Sequence, residues 1–292
     1  VRRSGTDRTD DRLLDAIREL AVDTVIPSGS VQKTIDLTSC QAVSRRHSIP
    51  RREVEIAALS AGIVPVRYLR NIGTIGPEGQ IALLTSKVVV VGIGGLGGTI
   101  ARNLARVGVG ALVLVDGDVF SEDNLNRQEF ADEGTVGRSK VEVAAQLIGR
   151  INGACEVTTA NRRVDRDDLV EILAGSDVAV DALDSIPSRF SLSDAAAAVG
   201  VPLVHGSVAG FIGQVSTLLP EDGGFSRIFG DRDGLPERGV EATVGNLPGV
   251  VGAVAGLQTV EVIKILTRTG EPLNRRLLFL DLETCVFDFF DL

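Results

Sequence analysis

The run Gly92-Ile93-Gly94-Gly95-Leu96-Gly97 is the segment most clearly shaped for chemistry. It follows a β-branched stretch and opens an amphipathic one. In that setting a G-x-G-x-x-G turn lets a phosphate approach backbone N–H groups at a helix N-terminus. Asp116, 19 residues beyond Gly97, stands where an acidic side chain grips a ribose hydroxyl. Glycines that only pack helix tightly on strand are the alternative. Loop and aspartate together point to an adenosine nucleotide, and at this stage NAD fits as well as ATP. No G-x-x-x-x-G-K-[ST] loop occurs, so a triphosphate has to be held by cations from elsewhere in the fold.

The elements that must position these residues are legible from Lys87 onward. Short apolar runs at 88–91, 111–115, 156–159, 178–181 and 203–204 alternate with helical patterns. The helices begin at Leu96 and cover 140–151, 165–173 and 189–199. Strands apolar on both faces and separated by helices predict a doubly wound, Rossmann-like α/β domain with a parallel core sheet. After Pro202 the expected strands at 214–218, 276–280 and 285–289 are antiparallel additions around a glycine-rich helix at 250–265. Residues 221–247 read as a long, mobile crossover loop. Residues 1–64 read as a small helical extension and 65–292 as the main domain. In the extension, Leu13, Leu14, Ile17 and Leu20 lie at helical spacing, and Ser48 with Pro50 starts a helix through Ala58. The cluster Arg45, Arg46, His47, Arg51, Arg52 reads as a solvated helix start, with phosphate binding as the alternative.

Composition narrows the partners. The net charge is −9, and residues 1–60 hold ten Lys/Arg against nine Asp/Glu, so the acidity belongs to the main domain. Such a surface is not built to coat itself with nucleic acid or anionic lipid. Cys40, Cys155 and Cys285 are far apart and form no C-x-x-C pair, which argues against a disulfide framework and a structural zinc site and predicts a cytoplasmic home. Residues 246–266 are apolar but interrupted by Gln258, Glu261 and Lys264, so no membrane span is expected, and no signal-peptide pattern opens the sequence.

Further motifs stand in order around the glycine loop: Arg67-Tyr68-Leu69-Arg70-Asn71 before it, then the run from Asp116-Gly117-Asp118 to Asn124-Leu125-Asn126-Arg127-Gln128. Gly137-Arg138-Ser139-Lys140 and Asp181-Ala182-Leu183-Asp184-Ser185 with Arg189 come after. With these motifs the chain, from about Val66 to Phe290, resembles the ThiF/MoeB/HesA family, bacterial relatives of the ubiquitin-activating enzymes. The resemblance implies adenylation, with ATP and Mg2+, of the C-terminal carboxylate of a small ubiquitin-like sulfur carrier ending in Gly-Gly. It implies that Arg127 and Lys140 contact phosphates, that Asn124 makes a polar contact nearby and that Asp184 holds magnesium. Gly92, Gly94, Gly95, Gly97, Asp116, Asp118 and Ser185 complete the nucleotide site, with Ser185 standing where relatives commonly have Asn. By the same resemblance Arg70 is an arginine finger reaching the site of the other subunit of a homodimer. The attacking carboxylate is already ionised at neutral pH, so the chemistry needs no general base, only neutralisation of phosphate charge.

The chain also departs from the family pattern. Relatives with two zinc-binding C-x-x-C pairs have them in the crossover loop and near the C-terminus; here neither occurs, and no zinc is expected. Residues 239–245, where some relatives carry an acyl-accepting cysteine, contain none. The activity is therefore expected to stop at the adenylate, with sulfur supplied by a separate donor. Cys155 and Cys285 read as buried structural residues and His205 as a core or strand-end histidine. Competing readings are carboxylate activation on tRNA or a peptide, and an NAD-dependent oxidoreductase, for which Arg127, Lys140 and Asp184 have no shared purpose.

Overall fold

The computed structural model describes residues 5–26 and 29–292. Its first elements are α1 (Gly5–Leu20), β1 (Val22–Val25), β2 (Val31–Ile35), α2 (Leu37–His47), α3 (Arg51–Ser60) and β3 (Val64–Pro65). The last two strands pair in parallel and the first two antiparallel, so the extension is not purely helical: it holds a three-stranded sheet. The hairpin escaped the sequence reading because β1 is largely solvent-facing and shows no apolar alternation. Ile17, Ile35, Cys40, Val43, Val54, Ala58 and Ile63 form this unit's own core. Asp36 caps α2 by accepting the Ser39 N–H at 2.7 Å, and the helix expected from Pro50 is α3.

The basic cluster divides: Arg45 and Arg46, in the last turn of α2, are exposed as a solvated helix end would be, but Arg51 and Arg52 are not. Arg51 donates to Asn152 Oδ1 at 3.1 Å and pairs with buried Glu55 at 3.2 Å. Arg52 donates to the Gly110 carbonyl at 2.7 Å. Two of the five side chains thus tie α3 to the segments at Gly110 and Asn152.

That domain runs α4 (Leu69–Thr85), β4 (Lys87–Val91), α5 (Gly95–Val107), β5 (Ala111–Val115), α6 (Lys140–Ile151), β6 (Glu156–Ala160), α7 (Arg166–Leu173), β7 (Val178–Asp181) and α8 (Ile186–Ala198). It continues with β8 (Leu203–Ala209), β9 (Ile212–Leu218), α9 (Ser226–Phe229), α10 (Glu241–Val244), α11 (Pro248–Thr267), β10 (Arg276–Asp281) and β11 (Val286–Asp291). The eight-stranded sheet has the order β11-β10-β9-β8-β7-β4-β5-β6. Strands β6, β5, β4, β7 and β8 are mutually parallel, and β9, β10 and β11 add antiparallel. On β4, Val88 and Val90 face the core beneath α5, α6 and α11, while Val89 and Val91 face the core beneath α7 and α8. A strand covered on both sides has no polar face to show, hence the unbroken apolar run.

Helix α11 is long and apolar enough to cross a membrane by length and composition. It packs instead on α5, β8 and β9 and buries Gln258, Thr259 and Glu261 with hydrogen-bond partners, which marks it as a core helix. Cys155 is buried, and desolvation pushes its thiol up to about 12. Cys285 is not: it is exposed, at φ +58°, in the turn joining β10 to β11. The apolar run there misled because β11 is the edge strand of the sheet among the described residues and is exposed along its length.

Candidate active site

A cleft of about 460 Å³ opens beyond the carboxyl ends of β4, β5 and β7. From β4 the chain goes to β5 and β6 on one side and to β7 and β8 on the other. Such a switch point leaves a crevice that neither crossover fills. The glycine loop forms its floor. Gly92 has φ +91°, and a Cβ there would lie 2.5 Å from the Ala182 carbonyl oxygen. At Gly97 a Cβ would lie 1.8 Å from the Gly92 carbonyl oxygen, so both positions demand glycine. The first N–H groups of α5 have no helical carbonyl behind them and face the cleft. Asp116 anchors the loop, accepting the Ile93 N–H at 2.7 Å and the Asp118 N–H at 2.8 Å.

Cationic and acidic groups ring this floor. Arg127 lines the cleft and donates to the Asp123 carbonyl and to Asn126 Oδ1, both at 2.8 Å. Lys140, at the start of α6, is 8 % exposed and points at Asp118 Oδ2 from 3.5 Å. Asp184 and Ser185 follow β7; Asp184 is exposed at the cleft, while the Ser185 hydroxyl caps α8 by accepting the Ser188 N–H. Beneath them Asp181, fully buried, receives the His205 Nδ1–H at 2.7 Å and lies 3.8 Å from Arg189. Burial alone would raise the Asp181 carboxyl, but Arg189 and the His205 bond outweigh it and hold it below the ordinary carboxylate range. Burial lowers His205, which stays neutral, donating from Nδ1 and accepting the Gln214 amide at Nε2 over 3.3 Å.

A ThiF family model matches residues 68–292. The chain belongs to the ThiF family. Among curated proteins it is 42% identical over 227 residues to a SAMP-activating enzyme E1 of Haloferax volcanii, covering 76% of this chain and 83% of that one. It is 36% identical over 230 residues to the molybdopterin-synthase adenylyltransferase of Escherichia coli, covering 76% and 90%. Among solved structures, E. coli MccB with ATP superposes with a TM-score of 0.68 at 21% identity, covering 86% of this chain and 82% of that one, a likeness of fold.

In this ThiF-family cleft Gly92, Gly94, Gly95, Asp116, Asp118, Arg127, Lys140, Asp184 and Ser185 come together. Three expected residues lie elsewhere. Gly97 is buried behind the floor, where it spaces the loop. Asn124 is buried and uses its side-chain Oδ1 to accept the Ser121 N–H in a capping box, so it shapes the Arg127 loop from behind. Arg70 is exposed on the first turn of α4, outside the cleft of its own chain.

The sequence reading gave no role to Gln128, Arg162, Arg163, Glu237 and Arg238, which also line the cleft. Gln128 is 8 % exposed and its Oε1 has no hydrogen-bond partner, an orphaned acceptor at the wall where a nucleotide would lie. Its place beside Arg127 in the motif was the available signal. Arg162 and Arg163 follow β6, a position at the carboxyl edge of the sheet that topology would have flagged.

Proposed function

We propose that this chain is an ATP-dependent adenylyltransferase that activates the C-terminal carboxylate of a ubiquitin-like sulfur carrier ending in Gly-Gly. The observation that carries the reading is the convergence in one cleft of a glycine loop and helix N-terminus with Arg127, Lys140 and Asp184. A carboxylate oxygen of the carrier forms a bond to the α-phosphorus while the bond to the β-phosphate oxygen breaks. The product is an acyl-adenylate and the leaving group pyrophosphate. Arg127 and Lys140 neutralise charge on the phosphates, and Asp116 holds the loop against the ribose end.

Asp184 is the residue that would hold magnesium. Among the described residues no group of three or more His, Cys, Asp or Glu could bind a metal alone. That suits Mg2+, which typically takes one or two carboxylates and fills its shell with phosphate oxygens and water. When bound it would supply Lewis-acid stabilisation of the pyrophosphate leaving group.

The proposal includes a main domain beginning at residue 65, a homodimer in which Arg70 serves the partner's cleft, and a separate sulfur donor. A cytoplasmic setting is supported by the free thiols of Cys40, Cys155 and Cys285. The alternative substrate tRNA loses support because Arg51 and Arg52 spend their guanidinium groups inside the protein.

Pyrophosphate exchange into ATP, dependent on a carrier ending in Gly-Gly, tests the reading. Asp184→Ala and Lys140→Ala are each expected to slow exchange by about 10²-fold or more while the thermal transition stays near wild type. Exchange at the wild-type rate in both variants would remove the assignment.

A further inference from the structure

Arg238 belongs to the crossover, and its backbone and side chain are held very differently. The backbone is pinned to the start of α8: the Ile186 N–H donates to the Glu237 carbonyl at 3.0 Å, and Arg238 bridges Ser185 antiparallel. The guanidinium hangs over the cleft and pairs with Asp184 Oδ2 at 3.7 Å, with the two side chains 63% and 73% exposed. An ion pair that long and that exposed contributes little and exchanges readily.

Four other cations on the cleft wall are held by short or buried contacts, Arg162 by Asp168 at 2.6 Å among them. Arg163, 94% exposed and 4.0 Å from Asp118, is loose but lies at the β6 side, away from Asp184. Arg127 donates to two oxygens at 2.8 Å, and Arg189 is buried against Asp181 and the Leu183 carbonyl. Lys140 is nearly buried beside Asp118. Arg238 therefore combines a fixed attachment point with a guanidinium that is easily redirected. Its partner is the carboxylate assigned above to magnesium. A dication on Asp184 removes the only acid paired with Arg238 among the described contacts and sets a like charge beside it. The acceptors then nearest to hand are phosphate oxygens, which match the guanidinium fork.

Resting on the adenylyltransferase reading, we propose that Arg238 is a phosphate-binding residue delivered by the crossover. It is parked on Asp184 in this structure and turns onto the terminal phosphates of ATP when Asp184 takes up the metal.

Calorimetry on the full chain separates the possibilities, using ATP with Mg2+, ATP with chelator, and AMP. For Arg238→Ala, the affinity for ATP with Mg2+ is expected to fall about tenfold or more, with Arg238→Lys between it and wild type. The loss is smaller in chelator, where Asp184 without metal competes for the guanidinium, and AMP affinity stays within about twofold, because AMP lacks the terminal phosphates. Unchanged ATP affinity, or equal losses for ATP and AMP, would reduce Arg238 to a tie between loop and helix and leave the adenylyltransferase reading standing. A wild-type protein that binds no ATP would overturn both.

Discussion

Asp181 touches nothing that reacts, yet it fixes the turn that does. One carboxylate oxygen accepts the Leu183 N–H at 3.0 Å, the other takes the His205 Nδ1–H, and its carbonyl accepts the Gln258 amide at 2.9 Å. Asp184 and Ser185 ride on that turn. The network requires an ionised aspartate and a neutral histidine, and burial supplies the second by lowering His205 below 6.5. In the unfolded chain the imidazole takes its proton first as pH falls. The contribution of His205 is therefore fully present above about pH 6.5 and is lost as pH drops toward its folded value. His205→Gln should cost about 1–3 kcal/mol near neutral pH. The gap in melting temperature between wild type and variant should narrow as the buffer goes from about pH 7.5 to about pH 5. A gap constant across that range in thermal denaturation would mean that His205 acts by shape alone. The sequence placed this histidine in the core, but its partner Asp181 is 24 residues away, and nothing local predicts the pairing.

Among the elements, the β4–α5 turn divides its glycines between building and binding. Gly97 must lack a side chain because the Gly92 carbonyl occupies the space. Gly97→Ala should destabilise the protein by about 3 kcal/mol or more, the range of severe core overpacking, and lose ATP binding with it. Gly94→Ala places its methyl on the open side, with Gln128 Nε2 the first neighbour at 3.8 Å. It should cost ATP affinity out of proportion to stability. Paired melting curves and ATP titrations check both, and equal behaviour of the two variants would contradict the division. The central strands β4, β7 and the start of β8 were legible because burial on two faces forces apolar runs, whereas β6, at the edge opposite β11, is largely exposed. The sheet edge was not: β11 is apolar by composition yet exposed, since hydrophobicity reports what a strand could bury and not what covers it.

For the whole molecule, α3 and the segment before α4 meet the end of α6 at a buried polar knot. Tyr68 donates to Glu55 at 3.0 Å and accepts from the Asn152 amide at 3.1 Å, and Arg67 donates to the Ile151 carbonyl at 2.8 Å and to Asn152 Oδ1. Burial raises the Glu55 carboxyl against the pull of Arg51 and Arg67. Two residues past the knot, Arg70 leaves the surface at a fixed origin. If it serves a partner's cleft, mixing Arg70→Ala with Asp184→Ala chains should restore about a quarter of wild-type exchange, through heterodimers with one complete site. Two inactive proteins that stay inactive after mixing would mean that Arg70 does not serve a partner's cleft, and an Arg70→Ala chain active by itself would place Arg70 outside the reaction. The amino-acid order alone determined the parallel core, the glycine turn and the spacing to Asp116, because periodicity and adjacency are written along the chain. Only the tertiary structure decided that Arg51 reaches Asn152, that Gln128 is left without a partner and that Arg238 faces Asp184. Those relations join residues remote in sequence, and distance, burial and exposure arise only when the packed elements bring them together.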